Sequence, residues 1–189
     1  MSRHPVFLDL ERRKVVLVGG GTVALAKLPA LLETGARVTV VAPRVCLEIV
    51  ESGVAVAQRA FLRADLDGAW FVVAAATPEV NRAVAEAAEE RRIFVNAVDD
   101  VRSATAYLGG VLRRGEITIA ISTGGAAPAL AGLLREGLDA ALPAEVQTWV
   151  GAARHLRVEQ KAAGVPMSSR RPALLAALNR LYDERAVSS

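Results

Sequence analysis

The feature that most constrains this chain is a run of three glycines directly after an apolar, β-branched segment. Residues 14–18 are typical of a buried strand, the glycines occupy 19–21, and helical periodicity then runs from 23 to 33, ending at Gly35. Another strand pattern follows at 37–42. Strand, glycine turn, helix and strand within about thirty residues make one βαβ unit, the minimal half of a nucleotide-binding fold.

The glycine run fits the pattern G-x-G-x-x-[G/A], with Gly19, Gly21 and Ala24 at the three fixed positions. The first glycine permits a tight turn, the second lets the backbone approach a pyrophosphate, and the small third residue lets helix and strand pack closely. An ordinary glycine-rich turn is the structural alternative, but the surrounding βαβ unit favours a cofactor loop. We expect Gly19, Gly21, Thr22 and Val23 to bind a dinucleotide through the helix N-terminus.

The end of the second strand departs from the usual dinucleotide pattern. An acidic residue normally binds the adenosine ribose there, whereas this chain has Ala42-Pro43-Arg44. We therefore expect Pro43 and Arg44 to contact the adenosine half of the cofactor. An arginine at this place is compatible with a 2′-phosphate, so side-chain chemistry leaves the choice between NAD and NADP open.

Strands and helices continue to alternate as far as residue 98, which predicts an α/β Rossmann-like parallel sheet covered on both faces. Hydrophobic residues make up 52% of the chain and aromatic residues only 4%, which is typical of buried Val-rich strands under Ala/Leu helices. The later strand and helix patterns lie at 54–58, 70–75, 79–91 and 93–98, followed by a strand-like stretch at 106–112 that contains two glycines.

The chain divides into three predicted parts. Residues 1–112 form the NAD-binding domain, residues 113–143 a small α+β element, and residues 144–189 a helical C-terminal domain. The middle element is too small to bury both its faces, so we expect it to pack against a second copy of the chain as a dimerisation element.

Composition excludes several classes of protein. No apolar run reaches the roughly 18 residues that a membrane span needs, and the N-terminus lacks a secretory signal pattern, so a cytoplasmic location is expected. Cys46 is the single cysteine, and His4 and His155 are far apart, so no metal site is predicted. Arginines gather in the second half, as solvated helix faces or as a surface for a polyanion. They lack a nucleic-acid reading motif.

Three ordered motifs resemble the precorrin-2 dehydrogenase and sirohydrochlorin ferrochelatase family, the N-terminal type of sirohaem synthase. They are Gly19-Gly20-Gly21-x-Val23-Ala24-x-x-Lys27 with Val40-Val41-Ala42-Pro43, then Asn96-Ala97-Val98-Asp99, and finally Ser122-Thr123-Gly124-Gly125-Ala126-Ala127-Pro128. The resemblance covers roughly residues 5–145. It departs from the family at 106–110, where Ala-Tyr-Leu-Gly-Gly replaces a Phe-Ile-x-Pro-like run, which puts substrate geometry in question.

The resemblance implies an NAD-dependent oxidoreductase that converts precorrin-2 to sirohydrochlorin in sirohaem (porphyrin) biosynthesis, acting as a homodimer. Some family members also insert Fe²⁺, a lyase activity that the sequence leaves open. Two other functions also stay open. One is a non-catalytic dimer that binds nucleotide and tetrapyrrole, and the other is a dehydrogenase of another polycarboxylate.

Asp99 is the predicted catalytic residue. It follows a strand at the carboxyl edge of the predicted sheet, where ligands of such sheets bind, and a carboxylate can accept a proton as the tetrapyrrole is oxidised. The resemblance places the essential aspartate of the family at Asp99. A solvated turn residue, like its neighbour Asp100, is the alternative.

The remaining candidates follow other strands. Ala75 and Thr77 are expected to line the nicotinamide or ribose pocket. Thr123, Gly124 and Gly125 precede a helix that opens near Pro128, and we expect this turn to bind substrate carboxylates. Each residue has an ordinary turn role as its alternative.

Overall fold

The computed structural model describes residues 3–98, 100 and 102–186, with the backbone alone for 180–186. Two compact units are formed, Met1–Leu108 and Gly109–Ser189. The first contains β1 (Lys14–Val18), α1 (Thr22–Leu32), β2 (Arg37–Val41), α2 (Leu47–Glu51), β3 (Ala55–Ala57), a 3₁₀ turn (Arg63–Leu66), β4 (Phe71–Ala74), α3 (Pro78–Glu90) and β5 (Phe94–Ala97).

The five strands of the first unit form one parallel sheet in the order β3-β2-β1-β4-β5. β1 lies in the middle, with Val15 beside Val38 of β2 and beside Phe71 of β4. The chain leaves β1 towards β2 on one side and returns to β4 on the other. The strand order therefore reverses between β1 and β4, the position at which open α/β sheets bind ligands.

Side chains alternate along β1 and pack into two apolar layers. Val16 and Val18 lie in the layer that α3 covers, and Val15 and Leu17 lie in the layer that α1 covers. Both faces are thus buried, which explains why the strand sequences are almost continuously apolar. The buried helix residues in these layers are Val84, Ala87 and Ala88 of α3 and Ala24, Leu28 and Leu31 of α1.

The second unit consists of a β-hairpin followed by three helices. Its elements are β6 (Gly110–Arg114), β7 (Ile117–Ile121), α4 (Pro128–Ala141), α5 (Val146–Ala162) and α6 (Met167–Ala186). β6 and β7 pair antiparallel, with Leu112 opposite Ile119. Gly110 lies under α4, because a Cβ atom there would be 3.0 Å from the Ala131 carbonyl oxygen.

The predicted fold class is confirmed: a Rossmann-like parallel sheet domain, a small α+β element and a helical C-terminal region. The chain divides into the two units between residues 108 and 109, whereas the first domain was predicted to end at residue 112. Gly109 belongs with the hairpin because a Cβ atom there would lie 2.0 Å from the Ile121 carbonyl oxygen. The separation of 113–143 from 144–189 stays a prediction. Within the described residues, no helix combines the length and apolarity that crossing a membrane requires.

Candidate cofactor site at the carboxyl edge of the sheet

The carboxyl ends of β1, β2 and β4 bring three loops to one edge of the sheet. Backbone hydrogen bonds hold the loops together: the Gly19 N–H donates to the Val41 carbonyl oxygen at 3.0 Å, and the Ala75 N–H donates to that of Val18 at 2.7 Å. All eight predicted cofactor residues therefore share one edge, next to the crevice between β1 and β4. These residues are Gly19, Gly21, Thr22, Val23, Pro43, Arg44, Ala75 and Thr77.

Gly19 and Gly20 are needed because neighbouring loops approach them closely. Gly19 has a φ of +133°, and a Cβ atom there would lie 2.2 Å from the Ala75 carbonyl oxygen. A Cβ atom on Gly20 would lie 2.1 Å from the Arg44 carbonyl oxygen. The Gly20 carbonyl oxygen in turn accepts the Cys46 N–H at 2.8 Å. These two glycines hold the three loops together.

Gly21 has the opposite environment. Among the described residues, no atom lies within 4 Å of the position that its Cβ would occupy, and the residue is exposed at the N-cap of α1. No described side chain caps this helix, and its first turn contains no acidic residue. The first-turn N–H groups, beginning at exposed Thr22 and Val23, therefore suit a phosphate.

The N-terminus of α3 already carries an acidic residue. The Glu79 carboxylate accepts hydrogen bonds from its own backbone N–H and from the Thr77 side chain, and both contacts lower its pKa. Glu79 thus offsets the positive end of the α3 dipole. Of the helices that begin after β1 and β4, α1 is the one suited to an anionic cofactor. The pocket role of Thr77 stays a prediction.

Asn81 is a residue of this site that sequence reasoning missed. It is 4% exposed on α3, and its Oδ1 accepts the Ala76 N–H at 2.9 Å, which ties α3 to the loop after β4. A signal was present in the sequence. Asn81 occurs at helical spacing with Val84 and Ala88, so an amide lies on the apolar face of the helix.

Pro43 and Arg44 are exposed beyond the end of β2. This position is where an open α/β sheet places the group that contacts the adenosine ribose. Arg44 is close to the glycine loop through its backbone, at the Gly20 contact described above. Arg44 therefore occurs where dinucleotide-binding sheets usually carry an acidic residue after this strand.

Asp99, the predicted catalytic residue, lies outside the described residues. Hydrogen bonds fix two residues near it in the sequence. The Val98 N–H donates to the Ala74 carbonyl oxygen at 2.9 Å, and Asn96 Nδ2 donates to the Ala106 carbonyl oxygen at 3.0 Å. The Asp100 carboxylate accepts the Ser103 hydroxyl at 2.6 Å, and this hydrogen bond lowers its pKa. The backbone N–H groups of residues 102 and 103 also donate to it, so Asp100 has a structural role in the turn.

The Thr123 hydroxyl organises the turn before α4. It donates to the Ala127 carbonyl oxygen at 2.9 Å and accepts the Ala127 N–H at 3.3 Å. Gly124 and Gly125 have φ values of +68° and +83°, which glycine adopts without strain. The turn exists as predicted from the motif, and its role in binding substrate stays a prediction.

Arg114, one of the arginines of the second half, has a structural partner. Its Nε donates to Asp139 Oδ1 at 2.9 Å, and its Nη2 donates to the Asp139 carbonyl oxygen at 3.1 Å. This ion pair joins β6 to α4, which accounts for a charge on the inner face of the hairpin.

Comparison with known proteins agrees with this geometry. A family model described as "Putative NAD(P)-binding" matches residues 6–110, and a second, "Sirohaem biosynthesis protein central", matches residues 114–141. The sheet and its glycine loop thus define a dinucleotide-binding protein, and the chain belongs to this NAD(P)-binding family.

Similar proteins extend the match along the chain. Siroheme synthases of Citrobacter koseri and Aeromonas salmonicida are 39% and 41% identical to it over 176 residues, which is 90% of this chain. The chain spans 38% of the length of these relatives. A solved structure titled SirC, precorrin-2 dehydrogenase, is 28% identical, with a TM-score of 0.70 over 92% of this chain and 88% of that one. The family resemblance inferred from the three motifs is confirmed.

Proposed function

We propose that this chain is a precorrin-2 dehydrogenase, which oxidises precorrin-2 to sirohydrochlorin with NAD in sirohaem biosynthesis. The observation that carries the proposal is the likeness to SirC, which covers both units and most of each chain. The match to the sirohaem central model at 114–141 supports it, because this segment lies outside the nucleotide-binding sheet. The reaction needs a pool of NAD, and we therefore place the protein in the cytoplasm.

Cofactor binding is assigned to the loops after β1, β2 and β4. The first-turn N–H groups of α1, at Thr22 and Val23, bind the pyrophosphate, and Gly21 allows its close approach. Pro43 and Arg44 contact the adenosine ribose, and Ala75 and Thr77 line the nicotinamide side. When bound, NAD supplies the acceptor for the hydride that the substrate loses.

Asp99 is proposed as the acceptor of the proton that the tetrapyrrole loses together with the hydride. The net change is loss of one hydride and one proton from the tetrapyrrole, so a base at the sheet edge completes the reaction. The hydrogen bonds at Val98 and Asn96 fix the end of β5, which comes just before Asp99 in the sequence. Asp100 is unsuited to the same task because its carboxylate is engaged by Ser103.

The tetrapyrrole is proposed to bind through its carboxylates at Thr123, Gly124 and Gly125. The left-handed backbone at both glycines and the helix that follows form a turn of the kind that binds anions. A polycarboxylate substrate fits this chemistry.

We also propose that the protein is a homodimer joined through α4. Ala131 and Asp139 of this helix contact the hairpin, whereas four leucines at helical spacing are exposed and form an apolar stripe. Such stripes at helical spacing are typical of helices that pack on a partner, and a second copy offers a self-complementary one. The α4 stripe consists of Leu130, Leu133, Leu134 and Leu138, which are 39–65% exposed.

The test of the proposed reaction is anaerobic incubation of the protein with precorrin-2 and NAD, with NADH formation followed by absorbance. We expect NADH and sirohydrochlorin in equal amounts. NAD binding without turnover would instead support the non-catalytic binding dimer. Turnover with another polycarboxylate, and none with precorrin-2, would support a different dehydrogenase.

Iron insertion is a separate activity with its own test. The relatives are siroheme synthases, named for formation of the iron-containing product, and this chain matches 38% of their length. Sirohydrochlorin and Fe²⁺ are therefore supplied together without NAD, and the sirohaem spectrum is recorded against a protein-free control. Acceleration over that control would assign Fe²⁺ as a substrate of this chain.

A further inference from the structure

Asn81 is a polar side chain in an otherwise apolar layer. The other buried residues of α3 are Val84, Ala87 and Ala88. Burial of an amide is unfavourable unless its polar atoms form hydrogen bonds, and Asn81 Oδ1 does so with the Ala76 N–H at 2.9 Å. Through this contact, Asn81 of α3 holds the loop after β4 in place.

The peptide group between Ala75 and Ala76 is held from both sides. Its N–H donates to Asn81, and its carbonyl oxygen packs against Gly19, 2.2 Å from where a Cβ atom would be. Without the Asn81 oxygen this N–H would lose its partner, and the peptide would be free to rotate. Rotation would move the carbonyl oxygen away from Gly19 and change the spacing of the two loops.

These two loops flank the crevice between β1 and β4 in which a sheet of this topology binds its ligand. We propose that Asn81 is a positioning residue for the cofactor: it sets the orientation of the Ala75–Ala76 peptide and thereby the fit of NAD between the loops. The inference rests on the proposed function only in that NAD is the ligand. Asn81 acts through the peptide and needs no contact with the cofactor.

The test compares two variants that lose the acceptor with one that loses only packing. Asn81→Leu replaces the amide with an apolar group of similar branched shape, and Asn81→Ala serves if the leucine variant does not fold. Val84→Ala is the matched control, because Val84 is fully buried on the same face of α3. The dissociation constant and KM for NAD, kcat and the melting temperature are measured for each protein.

We expect both Asn81 variants to raise Kd and KM for NAD about 10-fold with little change in kcat, because the Ala75–Ala76 peptide is no longer held in the orientation that fits NAD. Val84→Ala should lower the melting temperature and leave Kd for NAD at the wild-type value. The inference is overturned if the Asn81 variants bind NAD like the wild type. It is also overturned if Val84→Ala weakens NAD binding by the same factor as the Asn81 variants. Wild-type binding of NAD without oxidation of precorrin-2 would refute the proposed reaction, while the comparison of dissociation constants would still decide the role of Asn81.

Discussion

The carbonyl oxygen of Ala75 packs directly against Gly19, so that a Cβ atom on Gly19 would lie 2.2 Å from it. No side chain fits at that distance, and the φ of +133° also disfavours any residue but glycine. Gly21, two residues later in the same motif, has no atom of the described part of the chain within 4 Å of its Cβ position. One glycine is therefore required by packing, and the other is left open to a ligand.

Gly19→Ala is expected to lower the free energy of unfolding by at least about 2 kcal/mol, because it adds both backbone strain and an atomic overlap. Urea denaturation followed by circular dichroism measures this. Gly21→Ala is the matched variant and should change stability by less than about 0.5 kcal/mol. Gly21→Ala should instead weaken the binding of NAD, which isothermal titration calorimetry measures. Equal stability losses in the two variants would contradict the assignment.

Asp99→Ala should bind NAD like the wild type and lose turnover by at least about 100-fold, as removal of a general base does. Asp100→Asn is the control. It removes the charge, keeps an oxygen for the turn, and should retain activity within a few-fold. Steady-state kinetics with precorrin-2 decide the matter, and an active Asp99→Ala protein would reject the assignment.

Arg44→Ala should weaken NADP binding about 10-fold more than NAD binding, because a charge-assisted contact to a 2′-phosphate is lost. Arg37→Ala is the control, since Arg37 is exposed at the opposite end of the same strand. The ratio of the two dissociation constants is the measurement. An unchanged ratio in Arg44→Ala would show that the guanidinium does not contact the adenosine end.

Leu133→Glu should convert the proposed dimer to a monomer, because it places a charge in the α4 stripe. Val158→Glu is the control: Val158 is also an exposed apolar residue, 69% accessible, but it lies on α5. Light scattering after size exclusion reports the mass of each protein. A monomeric wild type, or a Leu133→Glu dimer, would remove α4 as the interface.

The pKa of Asp65 should give a defined pH dependence of stability. Its carboxylate accepts hydrogen bonds from Arg59 at 2.5 and 2.8 Å and from the Leu62 N–H at 2.8 Å. The Arg59 hydrogen bond, above all, lowers its pKa from the ordinary value of 3.8. Because the folded value is the lower one, the stabilisation is complete above about pH 4 and is lost as the pH falls through the folded pKa.

Asp65→Asn should therefore lower the free energy of unfolding by up to about 1 kcal/mol near neutral pH, the size expected for an ion pair whose arginine is solvent-exposed. The difference from the wild type should shrink as the pH falls below 4. Urea denaturation at several pH values tests this, and a difference that grows towards acid would show the opposite sign of linkage.

The stretch at 106–112 is a place where the local sequence pattern predicted the wrong structure. Its apolar residues predicted one strand, but β6 begins at Gly110. The Thr105 and Ala106 N–H groups instead donate to the Val95 carbonyl oxygen of β5, both at 2.9 Å. Periodicity reports which residues are apolar, whereas the strand edge with free backbone groups is known only once the sheet is assembled.

By itself the sequence determined the buried strands, the glycine turn and the helix that follows it, because burial, helix periodicity and turn conformation are local properties of residue type. It also placed the three motifs through which the family was recognised. The tertiary structure alone decided which loops meet at the sheet edge. The Ala75 carbonyl oxygen packs against Gly19 and the Arg44 carbonyl oxygen packs against Gly20, whereas no described residue packs against Gly21 in this way. The roles of Gly19 and Gly20 depend on contacts with residues far apart from them in the chain, and such contacts exist only after the sheet has packed.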